Sequence, residues 1–89
     1  MGLKEDFDQA AAEVKKLKAS PSNDDLLVLY SLFKQATVGD NSTEKPGMLD
    51  FKGKAKWQAW FDRKGMSADD AMKQYVEKVN SLIASIGLA

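Results

Sequence analysis

The chain has 89 residues, of which 44% are hydrophobic and 29% charged, and its 13 basic side chains balance 13 acidic ones. This length suits one domain, which we expect to span residues 1–89, and the ordinary composition argues against disorder. Zero net charge argues against an extended basic surface for nucleic acid, and the lack of cysteine and histidine excludes disulfides, thiolate metal sites and a histidine base.

Two amphipathic helices open the predicted fold. Between residues 3 and 17 the apolar side chains recur at steps of three and four, which predicts a helix of about four turns. The segment ASPSNDD (19–25) interrupts this pattern because proline cannot continue a helix, and Ser22 or Asn23 can cap the next one. A second apolar pattern over residues 26–36 then predicts the second helix.

A long loop separates the second helix from the third. Gly39 suits the end of the second helix, where a left-handed residue is favoured. The segment DNSTEKPGML (40–49) has the composition of a loop, and Pro46-Gly47 is typical of a turn. Asp50 is the predicted cap of a third helix that runs from Phe51 to about Lys64.

The fourth helix has the clearest apolar stripe of the chain, over residues 72–86. Ser67, with Asp70 three residues later, begins it in the manner of a capping box. No segment of any length alternates with period two, so strands are not expected. Short joints favour antiparallel neighbours, whereas the long loop allows helices two and three to run parallel. We therefore predict an all-α, four-helix, up-down-down-up bundle.

Helical spacing places several polar and aromatic side chains on shared faces. Tyr30, Phe33 and Lys34 share one face of the second helix, and Lys52 and Lys56 share one face of the third. Lysines, tyrosine hydroxyls and an aromatic ring together suit a phosphorylated aromatic group, that is, a nucleotide.

Two further residues are candidates for this site, and a third is expected to lie away from it. Tyr75 brings a hydroxyl to the apolar stripe of the fourth helix, and Lys15 stands beside the core positions of the first. Lys54 lies about 160–200° around the third helix from Lys52 and Lys56, so we expect its side chain in solvent.

Other interpretations of the same residues are open. A run of lysines is more often a solvated face than a site. Adjacent acids such as Asp69-Asp70 more often complement a helix dipole than bind metal, so no metal site is predicted. An enzyme without cysteine or histidine would need serine, lysine or carboxylates, and no matching motif is present, so no catalytic residue is predicted. A helical protein–protein interaction module remains the alternative function.

Two long motifs carry a family resemblance. The segments YSLFKQATVGD (30–40) and KPGMLDFKGKAKWQAW (45–60) closely resemble the signature of the acyl-CoA-binding protein family, and the similarity covers nearly the whole chain. The resemblance implies an up-down-down-up bundle that binds long-chain fatty acyl-CoA esters one-to-one, without catalysis. It also implies a cytosolic carrier and pool-former that needs no cofactor, with acyl-CoA as its ligand.

The resemblance implies residue roles as well. Tyr30, Lys34 and Lys56 correspond to the family residues that hold the ribose 3′-phosphate of CoA, and the acyl chain is expected in an apolar groove. Phe33 stands where many members have tyrosine, so a ring contact can survive while a hydroxyl hydrogen bond is lost. The residues that the resemblance places at or near the ligand are Lys15, Tyr30, Phe33, Lys34, Lys52, Lys56 and Tyr75.

The chain shows no targeting pattern. The opening MGLKEDFDQ lacks the apolar region of a signal peptide, and the longest apolar-rich run, residues 26–33, is far short of the ~20 residues that span a bilayer. We therefore expect a cytoplasmic monomer with no membrane span and no nucleic-acid partner. Its expected partners are acyl-CoA and, further, the enzymes that use acyl-CoA.

Overall fold

A computed structural model describes residues 2–89 of the chain. Within that range the regular structure is helical apart from one isolated bridge between two residues, which confirms the all-α prediction. A short 3₁₀ turn, Val14–Lys16, follows the first helix. The α-helices are α1 (Leu3–Glu13), α2 (Asn23–Thr37), α3 (Phe51–Phe61) and α4 (Ala68–Ile86).

The predicted starts of α2, α3 and α4 are confirmed, and each of these three is capped by a side chain. The Ser22 hydroxyl, the Asp50 carboxylate and the Ser67 hydroxyl each accept a hydrogen bond from the backbone N–H three residues later, at 3.2, 2.9 and 3.1 Å. Such caps satisfy a backbone donor that the first turn of a helix leaves free. At the start of α3, Gly53 leaves room for the Asp50 carboxylate, which a Cβ at residue 53 would overlap in this conformation.

The first helix is shorter than the four turns predicted. Its last predicted turn tightens into the 3₁₀ turn Val14–Lys16, and the chain then pairs with the segment that follows α4. Ala89 N donates to Lys16 O at 2.8 Å, and Lys18 N donates to Gly87 O at 2.9 Å. Backbone groups that would have continued the helix are bonded to a distant segment instead, which ends α1 early.

The third helix also ends earlier than predicted, at Phe61 rather than near residue 64. The backbone tightens here, since Arg63 N donates to Trp60 O at 3.0 Å in place of a full α-helical turn. Gly65 N then donates to the Asp40 carboxylate at 2.9 Å, which ties this turn to the loop before α3. Gly65 has a positive φ of 89°, a conformation that glycine adopts without strain.

Contacts between helices establish their directions. Phe7, near the start of α1, stacks on Phe33, near the end of α2, with 5.5 Å between ring centroids, so these helices are antiparallel. The Gln35 amide, also near the end of α2, donates to Met66 O just before α4 begins, so α2 and α4 are antiparallel as well. The pairing of Lys16 with Ala89 places the ends of α1 and α4 together, which makes that pair parallel.

Helices α2 and α3 run parallel. Lys56 Nζ lies 5.5 Å from the ring centroid of Tyr30, and one turn further along both helices Lys34 Nζ lies 5.0 Å from the ring of Trp60. Contacts that advance in the same direction along both helices define a parallel pair. The predicted up-down-down-up order is therefore confirmed.

The core lies between α1, α2 and α4. The apolar stripe of α4 forms its centre, since buried side chains recur there at the helical spacing that the sequence predicts. In contrast, α3 has one buried residue, Trp60, and it lies outside the main cluster. The buried members of that cluster are Phe7, Ala10, Leu29, Leu32, Ala36, Ala71, Tyr75, Val79 and Leu82.

Two leucines that differ in burial test this account of the core. Leu32 is 2% exposed, whereas Leu49, in the loop, is 89% exposed. We expect Leu32→Ala to lower the free energy of unfolding by about 2–5 kcal/mol, because it leaves a cavity among packed side chains. Leu49→Ala should change it by less than about 0.5 kcal/mol. Urea titration of both variants measures the difference, and equal losses would show that α2 does not pack as described.

The Asp40 carboxylate is the basis of a pH prediction. Its bonds from Gly65 N–H and the Gln35 amide, with the nearby Lys64 charge, hold its pKa below the ordinary value of 3.8. A carboxyl group with a lower pKa in the folded state stabilises the fold above its unfolded pKa, and that contribution is lost as the pH falls through the folded pKa. Acid should therefore destabilise the wild type more steeply than Asp40→Asn.

The matched control for this experiment is Glu44→Gln, which removes a carboxylate from an exposed position on the same loop. Thermal unfolding of the three proteins between about pH 6 and pH 2 gives the comparison. We expect Glu44→Gln to keep the steep acid dependence of the wild type. An Asp40→Asn protein with that same steep dependence would contradict the role assigned to this carboxylate.

Candidate functional site

A cleft of about 650 Å³ lies between the parallel helices α2 and α3. This volume is within the range of about 300–1,000 Å³ that is usual for small-molecule sites. Each helix contributes one face, because the lining positions are three and four residues apart. The residues that line this α2–α3 cleft are Asn23, Leu26, Leu27 and Tyr30 of α2, and Lys52, Ala55 and Lys56 of α3.

Three of the predicted site residues, Tyr30, Lys52 and Lys56, meet in this cleft. The Lys56 ammonium lies over the Tyr30 ring, 5.5 Å from its centroid, while Tyr30 is half-buried between the two helices. Neither lysine forms a salt bridge to a carboxylate within residues 2–89. An anion that enters the cleft would therefore meet two cations without having to displace an acidic side chain.

The rest of the cleft is mainly apolar. Leu26 is partly exposed and Leu27 is half-buried, although both belong to a helix whose opposite face is in the core. The small side chain of Ala55 faces them from α3 and leaves room between the helices. The cleft therefore joins cationic groups to an apolar surface, as an amphipathic ligand requires.

Two predicted residues lie beside the cleft on α2 rather than in its lining. Lys34, one turn after Tyr30, is half-buried, and its ammonium lies 5.0 Å from the Trp60 ring. Phe33 is 39% exposed, and its inner side packs against Phe7 in α1. Residues 30, 33 and 34 thus form one face of α2, as predicted, and this face extends beyond the cleft.

The remaining two predicted residues are further from the cleft. Tyr75 is buried against Phe7 and Phe33, with ring centroids 5.0 and 6.0 Å away, and burial raises the pKa of its hydroxyl. Its hydroxyl makes no hydrogen bond to any of the described residues 2–89. Lys15 is exposed on the 3₁₀ turn after α1 and does not line the cleft.

The expectation for Lys54 was wrong in one respect. Lys54 stays out of the cleft lining, as predicted, but its side chain is half-buried, whereas Lys52 and Lys56 are the exposed ones. The reason is that Lys54 stands three residues before Trp57 and shares its side of α3. That side faces the loop before α3, which helical spacing alone does not reveal.

Hydrogen bonds from both tryptophans hold this loop against α3. Trp60 Nε1 donates to Gly39 O at 2.7 Å, and Trp57 Nε1 donates to Thr43 O at 2.9 Å. In the other direction, the buried Asn41 amide donates to Trp57 O at 3.1 Å. Both tryptophans therefore support the loop that lies against α3.

Sequence reasoning missed four residues of the cleft: Asn23, Leu26, Leu27 and Ala55. A signal was present, because Asn23, Leu26 and Leu27 precede Tyr30 by seven, four and three residues and so share its face. Ala55 stands three residues after Lys52 and so shares its face of α3. The leucines serve in the sequence analysis only as part of the apolar pattern that predicts the second helix, and apolar residues on a helix are usually buried.

The structure also bears on metal and membrane binding. Within residues 2–89 there is no group of three or more acidic side chains close enough together to hold a metal ion. None of the helices in this range combines the length and the hydropathy needed to cross a bilayer.

Known proteins resemble this chain in both sequence and fold. The family model described as "Acyl CoA binding protein" matches residues 4–79. "Acyl-CoA-binding protein homolog 1" of Caenorhabditis elegans is 67% identical over 81 residues, which cover 91% of this chain and 94% of that protein. The "Acyl-CoA-binding protein homolog" of Manduca sexta is 57% identical over 89 residues, with 99% of each chain covered. The crystal structure of Oryza sativa "Acyl-CoA-Binding Protein 2" superimposes with a TM-score of 0.89 at 43% identity, covering 94% of this chain and 93% of that one.

Proposed function

The chain belongs to the acyl-CoA-binding protein family, and from this premise we propose that it binds long-chain fatty acyl-CoA esters at the α2–α3 cleft and transports them. The family is one of binding proteins without catalysis, so no step of a reaction is assigned to any residue. The observation that carries the proposal is that one cleft combines an apolar lining with two lysines that form no salt bridge within residues 2–89. An acyl-CoA ester complements both features, because its head group is anionic and its acyl chain is apolar.

The 3′-phosphate of CoA is assigned to Lys56, Lys34 and Tyr30. Lys56 and Lys34 come from facing helices, and Tyr30 stands one turn before Lys34 with its ring under the Lys56 ammonium. Ammonium groups bind phosphate as point charges, and a tyrosine hydroxyl adds a hydrogen bond. In this arrangement the phosphate brings together two helices that are joined in sequence only by the loop at 38–50.

The other four residues proposed to contact the CoA head group are supported by different observations. Lys52 lines the cleft one turn from Lys56, which places a second cation near the phosphate. Phe33 offers an exposed ring face beside Tyr30 for the adenine base to cover. For Tyr75 and Lys15 the support is their correspondence to family positions; Tyr75 packs directly against Phe33, and Lys15 can extend from its exposed turn.

The apolar part of the cleft is assigned to the acyl chain. Leu26 and Leu27 face Ala55 across the space between the helices, so methylene groups laid there would leave water. We also propose that residues 1–89 act as one acyl-CoA-binding domain, monomeric and cytoplasmic. Enzymes that use acyl-CoA are then the partners that receive or supply the ligand.

The dependence of affinity on chain length tests the assignment of the acyl chain. Each methylene buried in the cleft should contribute about 0.8 kcal/mol, or roughly fourfold in affinity. Isothermal titration with esters of about eight to twenty carbons should give a rise that levels off where the apolar lining ends. A series without any rise would mean that the chain stays in solvent and that only the head group is bound.

Lysine substitutions test the assignment of the phosphate. Lys56→Ala should weaken palmitoyl-CoA binding about ten- to a hundredfold, since a hydrogen bond to a charged group is lost. With the ester of dephospho-CoA, which lacks the 3′-phosphate, wild type should lose affinity and Lys56→Ala should lose much less. This non-additivity is a double-mutant cycle with one change made in the ligand.

The matched control is Lys54→Ala, which removes the same charge from the same helix outside the cleft lining. It should bind palmitoyl-CoA almost as wild type does, apart from a small term that depends on salt. Equal losses for Lys54→Ala and Lys56→Ala, or losses that simply add with the change of ligand, would point to a diffuse positive field. The residue assignment would then be wrong.

A further inference from the structure

The loop before α3 carries an exposed apolar tip, formed by Met48, Leu49 and Phe51. These side chains are 81%, 89% and 74% exposed, more than any other large hydrophobic side chain within residues 2–89. Single exposed apolar residues are ordinary, whereas neighbouring ones mark an interaction surface. None of the three lines the α2–α3 cleft or belongs to the core, so neither role explains them.

A hydrogen-bonded turn carries this apolar tip. Asp50 N donates to Gly47 O at 3.1 Å and closes a turn with Met48 and Leu49 at its centre. The Asp50 side chain caps α3 in the same place, and Phe51 is the first residue of that helix. Both flanks are hydrogen-bonded, so the exposed side chains project from an ordered turn.

Positive charge accompanies the apolar tip. The segment from Lys45 to Lys56 contains four lysines and one acid, Asp50, so its local charge is +3 (4 − 1) although the whole chain is neutral. The single acid is engaged as the cap of α3, where its carboxylate accepts the Gly53 N–H. The N-terminus of α3 lies at the same point and adds a partial positive charge.

We propose that the apolar tip docks this protein on an anionic lipid surface. Met48, Leu49 and Phe51 would enter the headgroup region, and the flanking lysines would lie at the level of the lipid phosphates. Charge complementarity selects this partner. An anionic bilayer has negatively charged phosphates at its surface and an apolar layer beneath them, and the tip has cations beside its exposed apolar side chains. The shape agrees, since a convex turn can enter a lipid layer without needing a complementary groove.

The position of the tip connects docking with the cleft. Lys52 follows Phe51 directly and also lines the α2–α3 cleft, so docking would place the edge of the cleft at the bilayer. An acyl chain could then pass between lipid and protein with little exposure to water. This last step rests on the proposed function, whereas docking itself is a property of the protein without ligand.

Vesicle binding by the ligand-free protein tests the proposal. Sedimentation with vesicles of phosphatidylcholine and about 30% phosphatidylserine should recover wild-type protein, and raised salt or pure phosphatidylcholine should reduce the recovery. The triple variant Met48→Gln/Leu49→Gln/Phe51→Gln should bind about tenfold more weakly, because it keeps every charge but loses apolar area. Leu49→Gln alone should give a smaller loss in the same direction.

The matched control is Val38→Gln, which changes another exposed apolar residue. Val38 precedes Gly39, whose carbonyl is bonded to Trp60 near the opposite end of α3 from the tip. Its vesicle binding should equal that of the wild type. Absence of wild-type binding, or equal binding by wild type and triple variant, would overturn the proposal and leave the tip as a surface for a protein partner.

Titration with palmitoyl-CoA in the absence of vesicles separates this inference from the proposed function. If the ester binds and the anionic vesicles do not, docking is refuted while the proposed function stands. If vesicles bind through the apolar tip and the ester does not bind, docking stands while the proposed function fails.

Discussion

The position of α3 depends on hydrogen bonds between this helix and the preceding loop. This helix buries one residue, Trp60, and adds nothing to the main apolar cluster, so hydrophobic burial alone does not locate it. Instead, the indole N–H groups of Trp57 and Trp60 donate to loop carbonyls, and Asn41 donates back to the helix. These bonds hold α3 on one side, and its other side contacts α2 and lines the cleft with it.

Helix α2 has two apolar faces, one in the core and one along the cleft. Leu29 and Leu32 enter the core against α1 and α4, while Leu26 and Leu27 line the cleft on the side of α3. A helix with apolar residues on much of its circumference normally lies deep inside a protein. Here one apolar face is covered by packing and the other borders a cleft, so the same element provides both stability and a binding surface.

The parts of the structure that the sequence predicts well depend on short-range geometry. The caps at Ser22, Asp50 and Ser67 bond to residues three positions away, and the stripe of α4 follows from helical periodicity. The errors come from long-range contacts: Ala89 pairs with Lys16 and shortens α1, and the loop covers the side of α3 that carries Lys54. Of the candidate site, the α2 face and the lysine pair of α3 follow from spacing, whereas the leucines of the cleft do not, since nothing local distinguishes them from core residues.

Both tryptophans of the chain lie on α3, and each indole is bonded to the loop. The ultraviolet emission of an indole ring moves to longer wavelength when water gains access to it, so the protein has a built-in optical reporter at this joint. Trp60 is buried and Trp57 half-buried, which means that a collisional quencher such as acrylamide will reach Trp57 first. Detachment of the loop from α3 would therefore be visible without any added dye, separately from the unfolding of the tryptophan-free core between the other three helices.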